Sequence, residues 1–288
     1  MVRKLEQILR EQIETIPRPF GVFLSGGIDS GILAALSKPD FAITCNFPLG
    51  EKYDELKYAQ IIAEHLKIPL TIISPKKEDF KEQLETAVKI IGKPTNSVSI
   101  VPWFNLMGAT KGKTMINGEG ADELFGGYTR YIILKLVYDI YNSPEMKNYI
   151  PTLDFLFKGI HSKLIEKTIP EVRNIEEAMK WEYENNLPDI LFVEAKLAKH
   201  FNVDLHQPFM SSEVRDFAWS LPLKQKIRGS TTKFILRELA IEILHIRVSK
   251  RQDKMGLICP VNKWMGWTGA RGEFDKVEYL KFQEKCLK

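Results

Sequence analysis

The sequence is poor in the residues that staple or metallate small domains. Cysteine occurs three times, at Cys45, Cys259 and Cys286, an odd number at long spacings with no Cys-x-x-Cys, which excludes a disulfide framework and a zinc knuckle. Histidine occurs five times without a His-Glu-x-x-His, and the nearest pair, His200 and His206, does not make a metal cluster. Long apolar runs are missing too. Phe41–Leu49 and Tyr131–Val137 are among the longest, well short of the ~20 residues that cross a bilayer, so no membrane span is expected. Nor is there a large excess of one charge. Lys+Arg 41 against Asp+Glu 37 leaves +4, with the surplus after about residue 130; this mild balance can help to hold an anionic substrate and speaks against a nucleic-acid partner, which calls for a denser basic patch. The N-terminus has no continuous apolar core of the signal-peptide kind. Leu5, Ile8, Leu9, Ile13 and Ile16 are interleaved with Arg3, Lys4, Glu6, Arg10, Glu11 and Glu14, which is helical spacing. A cytoplasmic protein is expected, opening with a helix within residues 1–18. No internal repeat or low-complexity segment stands out, and 44% hydrophobic residues in a chain of 288 suffice for one large domain or two modest ones and exclude a disordered chain.

What is there, first, is alternation. Apolar or β-branched runs at Phe20–Leu24, Phe41–Phe47, Leu70–Ser74 and Thr114–Asn117, with a weaker one near Val98–Val101, read as strands. Helical patterns at Ser30–Ser37, Asp54–Lys67, Glu78–Ile91 and Pro102–Lys111 lie among them; in Asp54–Lys67 the residues Leu56, Ala59, Ile62, Ala63 and Leu66 form one stripe. The pattern predicts an α/β fold with a doubly wound parallel sheet and a ligand site at the carboxyl ends of its strands. After Tyr128 strand-like runs largely disappear. Helical stretches at Tyr131–Ile140, Ile175–Asn185, Ile190–His200, Ser211–Ser220 and Thr232–Leu244 are punctuated by prolines. The expected division is therefore an α/β nucleotide-binding core over 19–128 and a mostly helical extension over 129–288.

Phe20-Gly-Val-Phe-Leu-Ser-Gly-Gly-Ile-Asp-Ser30 takes a buried strand into a glycine turn and then into a helix. Glycines let backbone N–H groups face an anion, and the helix N-terminus adds partial positive charge, so the loop suits phosphate. Asp29 would repel a phosphate unless a divalent cation lay between them, which points to Mg2+. A plain capped glycine turn uses the same residue types, but Ser-Gly-Gly-Ile-Asp-Ser resembles the pyrophosphate loop of the ATP-pyrophosphatase superfamily, whose members split ATP into AMP and pyrophosphate. Gly108-Ala-Thr-Lys-Gly-Lys-Thr114 is not a competing Walker loop: its glycines are one residue too close, and it precedes a strand candidate.

A second run, Asn117-Gly-Glu-Gly-Ala-Asp-Glu-Leu-Phe-Gly-Gly-Tyr128, starts where the fourth strand ends and gathers Glu119, Asp122 and Glu123. Carboxylates this close raise one another's pKa unless a cation neutralises them. The run resembles, almost residue for residue, the signature of the asparagine synthetase and β-lactam synthetase family; only Asn117 departs, where that family usually has Ser. Tyr53-Asp-Glu-Leu-Lys-Tyr-Ala59, Lys233-Phe-Ile-Leu-Arg-Glu-Leu239 and Arg251-Gln-Asp-Lys-Met-Gly-Leu257 are similar to further family segments, so the resemblance runs from about Phe20 to Trp264. A departure is Asp204-Leu-His206-Gln-Pro208-Phe209-Met-Ser211, where the family usually reads Glu-x-Arg-x-Pro-Phe-x-Asp.

The resemblance implies an ATP-dependent ligase that adenylates a carboxylate, by family precedent the aspartate side chain, releases pyrophosphate, and then forms an amide with ammonia while AMP leaves. It implies ATP contacts at Leu24, Ser25, Gly26, Gly27, Asp29, Ser30, Cys45, Asn117 and Gly118, Mg2+ at Asp29 and Asp122, substrate contacts at Glu123 and Tyr128, and catalytic roles for Glu119 and Lys254. Cys45 reads equally as core packing. Val2 follows Met1 and about twenty residues precede the first loop, so no glutaminase domain with an N-terminal cysteine is expected. Nitrogen then comes from free ammonia or a separate glutaminase subunit, or the nucleophile is something else. Other acceptors, as in β-lactam synthetase or tRNA-modifying relatives, and a non-catalytic nucleotide-binding subunit remain as alternatives.

Overall fold

The computed structural model describes residues 1–47, 55–132, 135, 174–251, 259–267 and 275–288. Five strands form one all-parallel sheet in the order β3-β2-β1-β4-β5: β1 Phe20–Phe23, β2 Phe41–Cys45, β3 Leu70–Ile73, β4 Thr114–Ile116 and β5 Asp204–His206. The helices described up to β4 are α1 Val2–Glu14, α2 Ile28–Ser37, α3 Leu56–Leu66, α4 Lys77–Ile91 and α5 Ile100–Ala109. Between β4 and β5 lie α6 Ala121–Phe125, α7 Ile175–Asn185 and α8 Leu187–Phe201, and after β5 come α9 Ser212–Ser220, α10 Leu223–Lys226, α11 Phe234–Ile243, α12 Ile246–Ser249, α13 Val261–Met265 and α14 Lys276–Cys286. This is the doubly wound α/β architecture that the alternation predicts.

Two cores, one on each face of the sheet, follow from the two-residue period of the strands. Phe20, Val22 and Leu24, with Ala42 and Ile116, join the cluster that includes α1, α2, α3 and α11. Phe23, Ile43 and Met115 point the other way, into the cluster with α4, α5, α8 and α14. The N-terminal helix belongs to the first core: Leu5, Leu9 and Ile13 are buried at the spacing read from the sequence, and full burial of each such side chain is worth roughly 1.5–3 kcal/mol.

The position of the site follows from the strand order. From β1 the chain winds outward through β2 and β3, then returns to place β4 on the opposite side of β1. Where the winding reverses, the loops after β1 and β4 diverge and leave a crevice at the carboxyl ends of the strands. Those two loops are the two glycine-rich runs.

Two strand assignments change. The weak candidate near Val98–Val101 is no strand; α5 begins at Ile100, and its buried residues Ile100, Val101, Trp103, Leu106 and Met107 recur with a helical period that the short apolar run concealed. Conversely, Asp204–His206 is a strand, paired with β4 from Thr114↔Asp204 to Ile116↔His206. It is a three-residue edge strand without a fully buried residue, so it lacks the apolar alternation by which strands are recognised. Among the described residues the helical second part otherwise agrees: α7 is capped by Asn174, whose Oδ1 accepts the Glu177 N–H at 2.9 Å, and α9 by Ser211, whose Oγ accepts the Val214 N–H at 3.2 Å. Of the expected helix Tyr131–Ile140, all but 131, 132 and 135 lies outside the described residues.

Candidate active site

The first loop is folded by its own serines. Ser25 N–H donates to Ser30 Oγ at 3.1 Å, the two hydroxyls lie 3.1 Å apart, and Ser30 Oγ donates to Gly27 O at 3.3 Å. Gly26 has φ +76°, and a Cβ there would stand 2.7 Å from the Glu55 carbonyl oxygen, so only glycine fits. Gly27 caps the ten-residue α2 without any side-chain hydrogen bond, which leaves the helix N-terminus facing the crevice as an anion site.

The second loop is pressed against the first. Asn117 N–H donates to His206 O at 3.1 Å, which ties the end of β4 to β5. At Gly118 a Cβ would lie 3.1 Å from Asp29 Cβ and 3.2 Å from Ser30 N. The two loops thus meet backbone to backbone.

A cation joins them. Lys233, at the N-terminal end of α11 with φ +52°, places Nζ 2.7 Å from Asp29 Oδ2 and 2.6 Å from Asp122 Oδ1. The Lys233 and Asp29 side chains are 4% and 6% exposed, and Asp122 29%, so a largely buried ammonium neutralises the acids of both motifs. In sequence these two aspartates point to Mg2+, and Lys233 reads only as part of a helix motif. The one available signal was the likeness of Lys233-x-x-Leu236-Arg237-Glu238 to a family segment, which names the lysine without saying what it reaches.

Other separated segments also converge. Arg251 forms a bidentate ion pair with Glu55, one arm at 2.8 Å, and its guanidinium lies 3.7 Å from the Tyr58 ring centroid. Arg251 thus meets Glu55 and Tyr58, residues far from it in sequence. Lys254 lies outside the described residues.

Beyond Lys233 the crevice is acidic. Glu123 is 1% exposed; its Oε1 accepts from Tyr128 OH at 2.5 Å while Oε2 has no partner. Burial, with Glu119 and Asp122 adding repulsion, pushes its carboxyl up to about 8, so Glu123 is mostly protonated at neutral pH. Arg130 pairs with Glu182 through Nε and Oε1 at 2.6 Å and covers the Tyr128 ring at 3.6 Å. Glu194 on α8, fully buried, accepts from Asn117 Nδ2 and Gln207 Nε2, each at 2.7 Å.

The two loops, with Arg130 and Glu182, border a cavity of about 1280 Å3. Leu24, Ser25, Asp29, Ser30, Cys45, Asn117, Gly118, Glu119, Asp122, Glu123 and Tyr128 line it. Gly26 and Gly27 shape the turn behind it and are not among its lining residues. Cys45 serves as apolar wall: burial pushes its thiol up to about 12, so it stays neutral and unreactive. Among the described residues no group of three His, Cys, Asp or Glu is arranged to hold a metal by itself.

The asparagine synthase family model matches residues 3–276. The chain belongs to this family. Among its relatives, an asparagine synthetase [glutamine-hydrolyzing] 1 of Bacillus subtilis is 27% identical over 86% of this chain and 47% of its own length. A putative asparagine synthetase [glutamine-hydrolyzing] of Mycobacterium tuberculosis is 26% identical over 85% and 45%, and one numbered 2 of Methanocaldococcus jannaschii is 30% identical over 40% and 23%. The chain spans about half the length of the curated relatives it matches over most of its own sequence. Family membership accounts for both glycine-rich runs and for the sheet that brings them together. Among the described residues no helix is long and apolar enough to cross a membrane.

Proposed function

We propose that this chain is an ATP-dependent amide ligase that adenylates a carboxylate, the side chain of aspartate, and then converts the acyl-adenylate to an amide. The observation that carries the reading is the meeting of Asp29, Asp122 and Lys233 in the crevice where the sheet reverses. It joins the phosphate-type loop and the acidic run, both of which line one cavity, through a buried cation. The Ser25–Ser30 turn and the N-terminus of α2 bind the pyrophosphate end of ATP, with Leu24 and Cys45 beside the base and Asn117 and Gly118 along the nucleotide. Attack by the substrate carboxylate forms the acyl oxygen–phosphorus bond and expels pyrophosphate. Lys233, with Lys254 by family likeness, offsets the charge that develops on the phosphates, a contribution typically worth several kcal/mol of barrier.

Mg2+ suits the donors present. Asp29 and Asp122 offer hard carboxylate oxygens close enough for one ammonium to reach both, and a two-carboxylate set completed by substrate oxygens and water is the usual Mg2+ arrangement. These two residues would hold the ion, which would supply charge neutralisation at the phosphates. Glu123 and Tyr128 stand at the acceptor, and Glu119 takes the proton released when ammonia, free or delivered by a separate glutaminase subunit, attacks the acyl carbon and AMP leaves.

Release of pyrophosphate and AMP from Mg-ATP, with aspartate and ammonium supplied together and each omitted in turn, tests the reading. Asparagine formed in step with AMP, and no cleavage without aspartate, is the expected result. Cleavage only with another carboxylate would retain the ligase chemistry and reject aspartate. ATP bound but never cleaved with any acceptor would overturn it in favour of a nucleotide-binding subunit.

A further inference from the structure

Apart from the active-site cavity the molecule has a second hollow, a groove of about 1100 Å3 bordered by α4 and α14. The two hollows share no described lining residue: α14 gives Val277, Leu280 and Glu284 to the active-site cavity and Phe282, Lys285 and Cys286 to the groove. The asparagine synthase family match ends at residue 276, where α14 begins, so family membership does not account for this face of the helix.

Charge is sorted across the groove. α4 carries Lys77, Lys81 and Lys89 together with Glu78, Asp79, Glu82 and Glu85, yet the groove takes all three lysines and, of the acids, only Glu85. Lys285 and Lys288 join them from the C-terminal side, whereas Glu278 and Glu284 of α14 do not line it. The described lining residues thus hold five lysines against one glutamate, a surplus as large as that of the whole chain. Lys81 reaches Glu85 at 3.9 Å; Lys77, Lys89, Lys285 and Lys288 form no ion pair among the described residues. At the usual helical rise Lys77 and Lys89 stand ~18 Å apart along α4, so the charge forms a row rather than a point. The groove is also aromatic, lined by Trp264, Trp267 and Phe282, all half-buried. Packing fixes these rings: Trp264 lies 5.2 Å from the rings of both Phe47 and Phe80, and Trp267 5.0 Å from that of Phe282.

We propose that this groove binds single-stranded nucleic acid, with phosphates along the lysines and bases against Trp264, Trp267 and Phe282. A positively charged groove furnished with aromatic side chains is the arrangement that holds single strands without reading their sequence. The described lining residues include no arginine; arginine forks suit planar carboxylates, whereas lysine ammonium groups act as point charges that can follow a flexible row of phosphates. An acidic peptide would meet the same charge but brings no flat ring at every repeat. In sequence, the mild net charge speaks against a nucleic-acid partner for want of a dense basic patch. The fold makes that patch by bringing together α4 and α14, which lie far apart in the chain.

Fluorescence anisotropy with a labelled strand of about twelve uridines tests the proposal. Binding should be tight enough to measure at low salt, and log affinity should fall against log salt with a slope of about −3, as expected when roughly four to five phosphates are neutralised on a single strand. The triple variant Lys81→Glu, Lys89→Glu, Lys285→Glu, at exposed positions, should weaken binding by about ten-fold or more and flatten the slope. Lys111→Glu, Lys196→Glu, Lys199→Glu, the same charge change at exposed positions outside the groove, should stay within about three-fold of wild type at the same salt, beyond the Debye length. A strand of equal length without bases should bind about five-fold more weakly or worse, since stacking is lost. Absence of binding at low salt, or equal losses in the two triple variants, would overturn the site. Equal affinity for the base-free strand or for polyglutamate of the same length would overturn nucleic acid as its ligand. None of these measurements requires turnover, so they decide the groove whether or not the chain proves to be a ligase.

Discussion

Lys233 is the residue whose surroundings say most. Buried opposite charges are costly to desolvate, and removing one partner leaves the other stranded, typically at a cost of about 3–5 kcal/mol. Lys233→Ala should therefore lower stability to urea by several kcal/mol and abolish pyrophosphate release. The double variant Lys233→Ala with Asp29→Asn should recover part of the stability and none of the activity. A single variant as stable as wild type would mean that the ammonium does not hold the two loops together. Glu123 gives a second prediction at this scale. Its folded-state pKa, about 8, lies above the ordinary glutamate value of 4.5, so between those values the folded protein keeps a proton that the unfolded chain releases. Its contribution is fully present below about pH 4.5 and is lost as pH rises through 8, with a slope of up to ~1.4 kcal/mol per pH unit. Urea midpoints measured from pH 5 to 8 should fall more steeply for wild type than for Glu123→Gln; parallel curves would contradict the buried, protonated carboxyl.

At the scale of elements, the two loops have little room for change. A methyl group at Gly26 would combine φ +76° with a backbone oxygen 2.7 Å away, and neither can yield without moving α3. Gly118→Ala is milder, pressing at 3.1 Å on Asp29 Cβ; the expected cost is about 1–3 kcal/mol, and because the pressure falls on Asp29, ATP affinity measured by calorimetry should drop along with stability. Ser211→Ala provides the contrast. It removes the α9 cap, worth about 1 kcal/mol, and should leave ATP affinity unchanged. If Ser211→Ala impaired binding as much as Gly118→Ala, the loss would reflect general loosening rather than contact between the loops.

For the whole molecule, the site is a seam. Asp29 and Asp122 come from the two sides of the sheet reversal, and Lys233 from α11, more than a hundred residues beyond Asp122. A ligand bound across such a seam stabilises every element it joins, by about 2.7 kcal/mol at a hundred-fold excess over Kd. Mg-ATP should therefore raise the thermal midpoint by several degrees in wild type and by little in Asp29→Asn. An equal shift in both would place the nucleotide elsewhere.

The sequence by itself determined the alternation of strands and helices, because apolar runs and the 3.6-residue period are written in single segments such as Phe41–Phe47 and Asp54–Lys67. It determined both loops as well, since Gly26, Asp29, Gly118 and Asp122 sit in short runs whose chemistry is local. Only the tertiary structure decided what neutralises those acids: Lys233 lies 204 positions from Asp29, and no periodicity carries contact across that distance. Tertiary structure likewise decided β5, which is a strand because β4 offers its edge, and Glu194, which reads in sequence as one more charged residue of an amphipathic helix. Local propensity is encoded residue by residue, whereas a buried charge acquires its partner only when the sheet closes around it.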